Sequence, residues 1–165
     1  MPAPVFRAGD FAELPPERRE LFQNMLTRSA PAGAASYFPG LVGLVTEEVR
    51  TDYARMRLPF RPVLNQPAGV VHGGAIATLI DTVIVPAVAS GYDAIPLMLT
   101  LHLGINFLAA LREEDAVAEG WVLRRGFRTL FCEARVFGAD SGDIAATGEL
   151  VYSVKHPTAS PHPPA

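Results

Sequence analysis

The sequence contains only one cysteine, Cys132, among its 165 residues. A single cysteine cannot form an intramolecular disulfide, and it cannot build a cysteine-based metal cluster. The first eleven residues, MPAPVFRAGDF, also lack the continuous apolar segment of a secretory signal, because prolines and charged residues interrupt them. These absences predict a protein of a reducing compartment, and we expect it in the cytoplasm.

The sequence also lacks an excess of charge of one sign. It has 14 basic and 17 acidic side chains, a formal net charge of −3, and no block of like charge. Such a surface exerts no long-range attraction on a phosphate backbone, so nucleic-acid binding is not expected. With 49% apolar and 19% charged residues, the chain has the composition of a compact globular domain.

No apolar run is both long and free of charge. The most apolar stretch, residues 68–90, approaches the roughly 20 residues that cross a bilayer, but Asp81 lies in its middle. A carboxylate at the bilayer centre costs several kcal/mol, so we expect no membrane span. The segment 73–90 is apolar nearly all round, which predicts a helix enclosed by other elements.

The rest of the chain predicts mainly strands. Alternating apolar residues bounded by turn formers occur at 41–48, 53–60, 97–108, 116–124, 128–137 and 144–154. An amphipathic helix is predicted over 15–30, and residues 156–165 have no apolar periodicity. We therefore predict an α+β domain over 39–155, in which an antiparallel sheet curls around the long central apolar helix. An N-terminal extension with its extra helix (1–38) precedes the domain, and a flexible tail (156–165) follows it.

Strict alternation assigns faces to the strand over 97–108. One face carries the apolar residues Leu99, Leu101, Leu103, Ile105 and Phe107, and the opposite face carries Thr100, His102 and Asn106. In the strand over 128–137, Cys132 alternates with apolar residues, which predicts a buried core thiol and not a nucleophile.

A glycine pair, Gly73 and Gly74, follows His72 directly and opens the predicted helix. Glycines at a helix start leave unobstructed backbone N–H groups at the positive end of the helix dipole, where an oxyanion can bind. A glycine pair also serves tight turns and close packing, so the tripeptide alone does not decide between these functions.

Asp81 is the only charged residue between Arg61 and Asp93, and it lies in the middle of the predicted helix. A carboxylate in apolar surroundings needs a partner or a water-lined cavity, which makes Asp81 a candidate base or nucleophile as well as a candidate structural acceptor. Gly73 and Asp81 are eight residues apart, or about 12 Å along one helix. One ester cannot contact both, so a shared reaction requires two chains, as in a two-fold dimer with antiparallel central helices.

Three segments carry a resemblance to a known family: HGGAIATLID from His72, TLHLGINFL from Thr100, and EGWVLRRGFRTLFCEARVF from Glu119. Over residues 39–154 the sequence resembles the hotdog-fold acyl-CoA thioesterases, specifically the PaaI-like branch associated with phenylacetate degradation. The resemblance implies hydrolysis of an acyl-CoA without a metal or redox cofactor, by homodimers that often pair into dimers of dimers.

The resemblance also implies residue roles. The N–H of Gly73 would polarise the thioester carbonyl, and Asp81 of the neighbouring subunit would act as nucleophile or as base for water. His72 would brace the loop, and Thr100 would position the attacking water, while Gly74 lies beside the substrate.

The sequence departs from the family pattern before the helix. The family usually has an asparagine six residues before its histidine, whereas this chain has Gln66 there and Asn65 one residue earlier. Either amide is a candidate for the loop or substrate contact. Arg124, Arg125 and Arg128 are candidates for the phosphates of coenzyme A, or form a solvated hairpin end.

Two other functions are compatible with these residues. A non-catalytic module would bind acyl-CoA without releasing thiol. A hydratase or dehydratase acting on acyl thioesters would resemble other hotdog branches, although the motif of a histidine with an acid is missing here.

Overall fold

The computed structural model describes residues 37–92 and 95–155, together with Pro16, Glu17 and Glu20. The predicted helix over 15–30 lies outside the described residues except for these last three, which are helical, and the predicted tail lies wholly outside them. The elements in chain order are α1 (Phe38–Val42), β1 (Val45–Arg50), β2 (Tyr53–Leu58), a 3₁₀ turn (Pro62–Leu64), β3 (Asn65–Gln66), β4 (Val70–Val71), α2 (Gly73–Ala89), β5 (Leu97–Phe107), β6 (Ala116–Arg125), β7 (Thr129–Gly138) and β8 (Ile144–Lys155).

Six strands form one antiparallel sheet in the order β1-β2-β6-β7-β8-β5, and β3 pairs with β4 as a separate short ribbon. The long helix α2 contacts all six strands of the large sheet. The predicted antiparallel sheet around a central helix is therefore confirmed. Within the described residues, no helix is long and apolar enough to cross a bilayer.

The first predicted strand begins later than the sequence pattern indicates. Leu41 and Val42 belong to α1 and not to a strand, because Pro39 in its first turn suits a helix start and Gly43 ends the helix with a left-handed φ of 87°. The strand β1 then begins at Val45.

Two strand glycines allow α2 to approach the sheet closely. A Cβ at Gly148 on β8 would come within 2.6 Å of the Ile80 side chain, and one at Gly120 on β6 would come within 2.9 Å of Val83 and Ile84. Any larger residue would push the helix away from the strands. Cys132 packs in the same core, and burial raises the pKa of its thiol to about 12, as expected for an unreactive core residue.

A β-bulge in β5 changes the predicted faces of that strand. Thr100 pairs with Tyr152 and His102 pairs with Val151, so Leu101 is an extra residue opposite one position of β8. Thr100 therefore shares the helix-facing side with the buried Tyr152, whereas Leu99 pairs with Ser153 on the outer side. The predicted common face from Leu99 to Phe107 is wrong, and so is the shared face of Thr100 and His102, because the bulge interrupts the alternation. His102 instead faces outward, 3.7 Å from the Glu149 carboxylate.

The strand β5 is at the edge of the sheet, and its leucines are exposed. Leu97, Leu99 and Leu101 are 58%, 56% and 62% exposed, and Phe107 near the other end is 57% exposed. On its other edge, β5 has no neighbouring strand within the part of the chain that the structure describes. An apolar edge strand of this length has the character of a surface that pairs with another chain.

Candidate active site

The start of α2 is organised by His72. Its backbone is extended (φ −62°, ψ 134°), and its side chain caps the helix, with Nδ1 accepting a hydrogen bond from the Gly74 N–H at 2.8 Å. Its own N–H donates to the Leu64 carbonyl at 2.8 Å, which ties the turn to the preceding segment. Because Nδ1 accepts, the proton of a neutral ring lies on Nε2.

The His72 cap occupies the Gly74 N–H and leaves the Gly73 N–H available as a donor. As the first residue of α2, Gly73 has no acceptor within the helix, and no other acceptor for it occurs among the described residues. Gly73 lines a cavity of about 540 Å³ together with Gln66, Val70, Ile76, Phe107 and Leu111. The cavity is mostly apolar and has an unpaired helix-terminal N–H in its wall, which is the environment that a carbonyl oxygen developing negative charge requires.

The two candidate amides lie on either side of the His72 turn. Gln66 faces the Gly73 cavity, and its Oε1 accepts from the Ala68 N–H at 3.1 Å. Asn65 lines a neighbouring cavity of about 250 Å³ with His72 and Gly74, and its buried Oδ1 has no hydrogen-bond partner among the residues that the structure describes. Both amides therefore lie near the helix start, and only Gln66 reaches the cavity that contains Gly73.

Asp81 lies two turns along α2, where two hydroxyl groups meet its carboxylate. Its Oδ1 accepts from Thr100 Oγ1 at 2.9 Å and from the Tyr152 hydroxyl at 2.6 Å. The Tyr152 hydroxyl also lies 2.8 Å from the Asp81 carbonyl oxygen. The carboxylate is half-buried and lines a cavity of about 360 Å³ with Phe38, Thr78 and Leu103. Asp81 is thus held in place and still open to a ligand.

Tyr152 was not among the residues that the sequence singled out. Its strand alternates Leu150, Tyr152 and Val154 toward the core, and all three are buried. A buried tyrosine usually needs a hydrogen-bond partner for its hydroxyl, which was the available signal. The partner itself, 71 residues away in the chain, could not be read from the alternation.

Gly73 and Asp81 open into different cavities. The residues that line the Gly73 cavity and those that line the Asp81 cavity do not overlap. Both residues belong to the one helix α2, so their separation along the axis is about 12 Å, at about 1.5 Å per residue. A single chain therefore does not bring the two groups together around one acyl carbon.

The three arginines do not form one basic cluster. Arg125 faces inward: its guanidinium binds the Asp52 carboxylate, donates to the Val88 carbonyl at the end of α2, and lies 4.6 Å from the centre of the Tyr92 ring. Only 16% of its side chain is exposed, and Nε and Nη2 make these contacts, whereas the buried Nη1 has no hydrogen-bond partner among the described residues. Arg124 and Arg128 are exposed, and Arg128 lines an outer groove with Leu99, Phe127 and Lys155.

Comparison with known proteins gives matches in families, sequences and structures. A family model described as "Thioesterase superfamily" matches residues 68–145. "Putative esterase SSO1253" of Saccharolobus solfataricus is 26% identical over 100 residues, which cover 61% of this chain and 66% of that protein. SSO2140 of the same organism is 32% identical over 87 residues, which cover 53% of this chain and 61% of that protein. The chain thus spans slightly less than two thirds of the length of these curated relatives.

Among solved structures, the conserved protein PA5202 from Pseudomonas aeruginosa has a TM-score of 0.67 and 30% identity, covering 76% of this chain and 100% of that one. The PaaI protein of the E. coli phenylacetic acid degradation operon shares the fold, with a TM-score of 0.64, 16% identity, and coverage of 70% of this chain and 80% of that one. The family match includes the glycine-initiated helix with Asp81 and the strand that carries Thr100. The chain therefore belongs to the thioesterase superfamily and has the hotdog fold.

Proposed function

We propose that this protein hydrolyses an acyl-CoA thioester to a free acid and coenzyme A. The observation that carries the proposal is the Asp81 carboxylate, which lies on an otherwise apolar helix, accepts two hydroxyl hydrogen bonds, and still faces a cavity. Folding alone does not require a carboxylate there, because burial of charge in apolar surroundings is unfavourable. A positioned carboxylate beside a cavity is the arrangement that general-base or nucleophilic catalysis requires.

The chemistry needs two groups around one carbonyl. The Gly73 N–H would donate to the thioester oxygen and stabilise the negative charge that develops on it. Asp81 would either attack the acyl carbon, forming a mixed anhydride and expelling the thiolate, or take a proton from the water that attacks. In the first route a water molecule then hydrolyses the anhydride, so both routes release the same acid and the same thiol.

Because the two groups open into separate cavities of one chain, the proposed site is shared by two chains. The exposed edge of β5 supports this, since Phe107 at one end lines the Gly73 cavity and Leu103 lines the Asp81 cavity. Antiparallel pairing of two β5 edges about an axis near their middle would bring the Phe107 end of one copy toward the Thr100 end of the other. A two-fold dimer would then contain two equivalent sites, each with Gly73 from one chain and Asp81 from its partner.

For the coenzyme A part of the substrate, the proposal relies on the exposed arginines. Arg124 and Arg128 carry positive charge at the outer end of the β6–β7 hairpin and are free to form charge-assisted hydrogen bonds with phosphate oxygens. Arg125 is not part of this proposal, because its guanidinium already binds Asp52 and the end of α2.

Thiol release across a panel of short, medium, long and aryl acyl-CoAs tests this function. We expect saturable release from at least one member of the panel, at a rate well above that of the uncatalysed reaction. The product acid and free coenzyme A should appear in equal amounts. Tight, saturable binding of every acyl-CoA without thiol release would contradict the proposal and favour a binding module.

A further inference from the structure

The two hydroxyl groups at Asp81 meet the same carboxylate oxygen. Thr100 Oγ1 is 2.9 Å and the Tyr152 hydroxyl is 2.6 Å from Oδ1. No hydrogen bond to Oδ2 occurs among the residues that the structure describes. The carboxylate is therefore anchored through one oxygen, and the other remains available to a ligand.

We propose that Tyr152 is a positioning residue that, together with Thr100, fixes the Asp81 carboxylate so that Oδ2 is the oxygen that acts on the substrate or on water. This inference rests on the proposed function, since it assigns a task to a residue that acts through Asp81. The torsion about the last bond of an aspartate side chain is broad, and two donors on one oxygen restrict it.

Tyr152 is well suited to this task because its position is rigid. It is 2% exposed, and it lies on β8 between Leu130 of β7 and Thr100 of β5, which are its paired residues in the two neighbouring strands. Its hydroxyl also lies 2.8 Å from the Asp81 carbonyl oxygen, so its single hydrogen is close to two acceptors of the same residue.

Tyr152 also remains a donor over the pH range in which the protein would be assayed. Burial raises the pKa of its hydroxyl well above the usual range, and the nearby Asp81 charge raises it further. The hydroxyl therefore keeps its proton, and the hydrogen bond to Oδ1 persists at neutral and mildly alkaline pH.

The bulge at Leu101 lets the Thr100 hydroxyl reach Asp81 Oδ1, the same oxygen that the Tyr152 hydroxyl contacts. Without the bulge, regular alternation back from Leu103 would place Leu101 on the helix-facing side and Thr100 on the outer side, away from Tyr152. Thr100 has one hydroxyl hydrogen and uses it on Asp81, so toward an attacking water it can act only as an acceptor. The orientation of the carboxylate then depends on Tyr152 as a second donor.

Replacing Tyr152 by phenylalanine tests the inference, because it removes the hydroxyl and keeps the ring. With the best acyl-CoA of the panel, we expect kcat to fall about 10- to 100-fold, since a misplaced catalytic group loses rate on this scale, and KM to change less than about 3-fold. The matched control is Tyr53→Phe, which removes a hydroxyl that donates to Glu119 at 3.1 Å on the outer side of the sheet. That variant should keep the wild-type kcat.

A double variant separates positioning from a purely structural effect. In the Asp81→Asn background, Tyr152→Phe should lower the residual rate much less than it lowers the wild-type rate, because the group that it positions no longer acts. Equal losses in both backgrounds, or a loss that follows the fraction of unfolded protein in a thermal melt, would overturn the inference.

The same variants distinguish a failure of the positioning inference from a failure of the proposed function. If Asp81→Asn abolishes turnover and Tyr152→Phe has the wild-type kcat, the positioning inference fails while the proposed function stands. If Asp81→Asn itself has wild-type turnover, the proposed function fails at its catalytic residue, and the positioning inference fails with it.

Discussion

Replacing Asp81 by asparagine is expected to lower kcat at least about 100-fold with the preferred acyl-CoA, because the variant has no carboxylate to attack or to accept a proton. The side chain keeps its size, and an amide oxygen can still accept from Thr100 Oγ1 and the Tyr152 hydroxyl. The geometry should thus survive while the chemistry is lost. The measurement is steady-state thiol release, with a thermal melt to confirm that the variant folds.

The control for this substitution is Asp143→Asn, in the exposed turn between β7 and β8. It makes the same chemical change at an exposed residue that lines neither cavity and should leave kcat and KM at wild-type values. Equal turnover by the Asp81→Asn variant and the wild type would remove Asp81 from the mechanism. Single-turnover hydrolysis in heavy-oxygen water then distinguishes the two routes, because label enters the Asp81 carboxylate only if that carboxylate attacks the acyl carbon.

Replacing Gly73 by proline is expected to lower kcat about 100- to 1,000-fold, the usual loss when one oxyanion donor is removed. Proline has no N–H, and the substitution suits this position otherwise. Gly73 is the first residue of α2, where proline is tolerated, and the extended backbone of His72 before it (φ −62°, ψ 134°) is the conformation that a following proline favours. The loss of activity should therefore come without a loss of the helix.

Gly73→Ala is the matched control, because it adds the same Cβ and keeps the N–H. In either variant the new Cβ would lie 3.3 Å from Cζ of Phe107, so both introduce the same contact. The alanine variant controls for the added Cβ, so the difference between the two rates reports the loss of the N–H together with the rest of the proline ring. If the proline variant is as active as the alanine variant, the Gly73 N–H does not stabilise the reacting oxygen.

The sequence predicts the central helix and most of the sheet because both rest on local patterns. The apolar segment after the glycine pair forms α2, and the predicted strands over 116–124 and 144–154 lie within β6 and β8. Asp81 could be identified as a candidate site residue for the same reason, because it is a lone charge within an apolar helix. Such features depend on neighbouring residues alone.

The details of the site could not be predicted because they depend on contacts between distant segments. The bulge at Leu101 reverses the side of Thr100, and no local pattern marks the extra residue. The hydrogen bond between Tyr152 and Asp81 joins residues 71 positions apart in the sequence, and the one between Arg125 and Asp52 joins residues 73 positions apart. A sequence pattern indicates that a buried tyrosine or arginine needs a partner, but the order of the strands decides which partner it finds.

Mixed dimers test most directly the central claim that each site is built from two chains. Gly73→Pro and Asp81→Asn chains, carrying different affinity tags, are expressed together, and the dimers that contain one of each are purified through both tags. Each mixed dimer then has one site with both defects and one with an intact Gly73 and an intact Asp81. The account predicts about half of the wild-type activity for these dimers, although both parent variants are nearly inactive. Mixed dimers as inactive as their parents would contradict it, because that result requires both groups to come from the same chain.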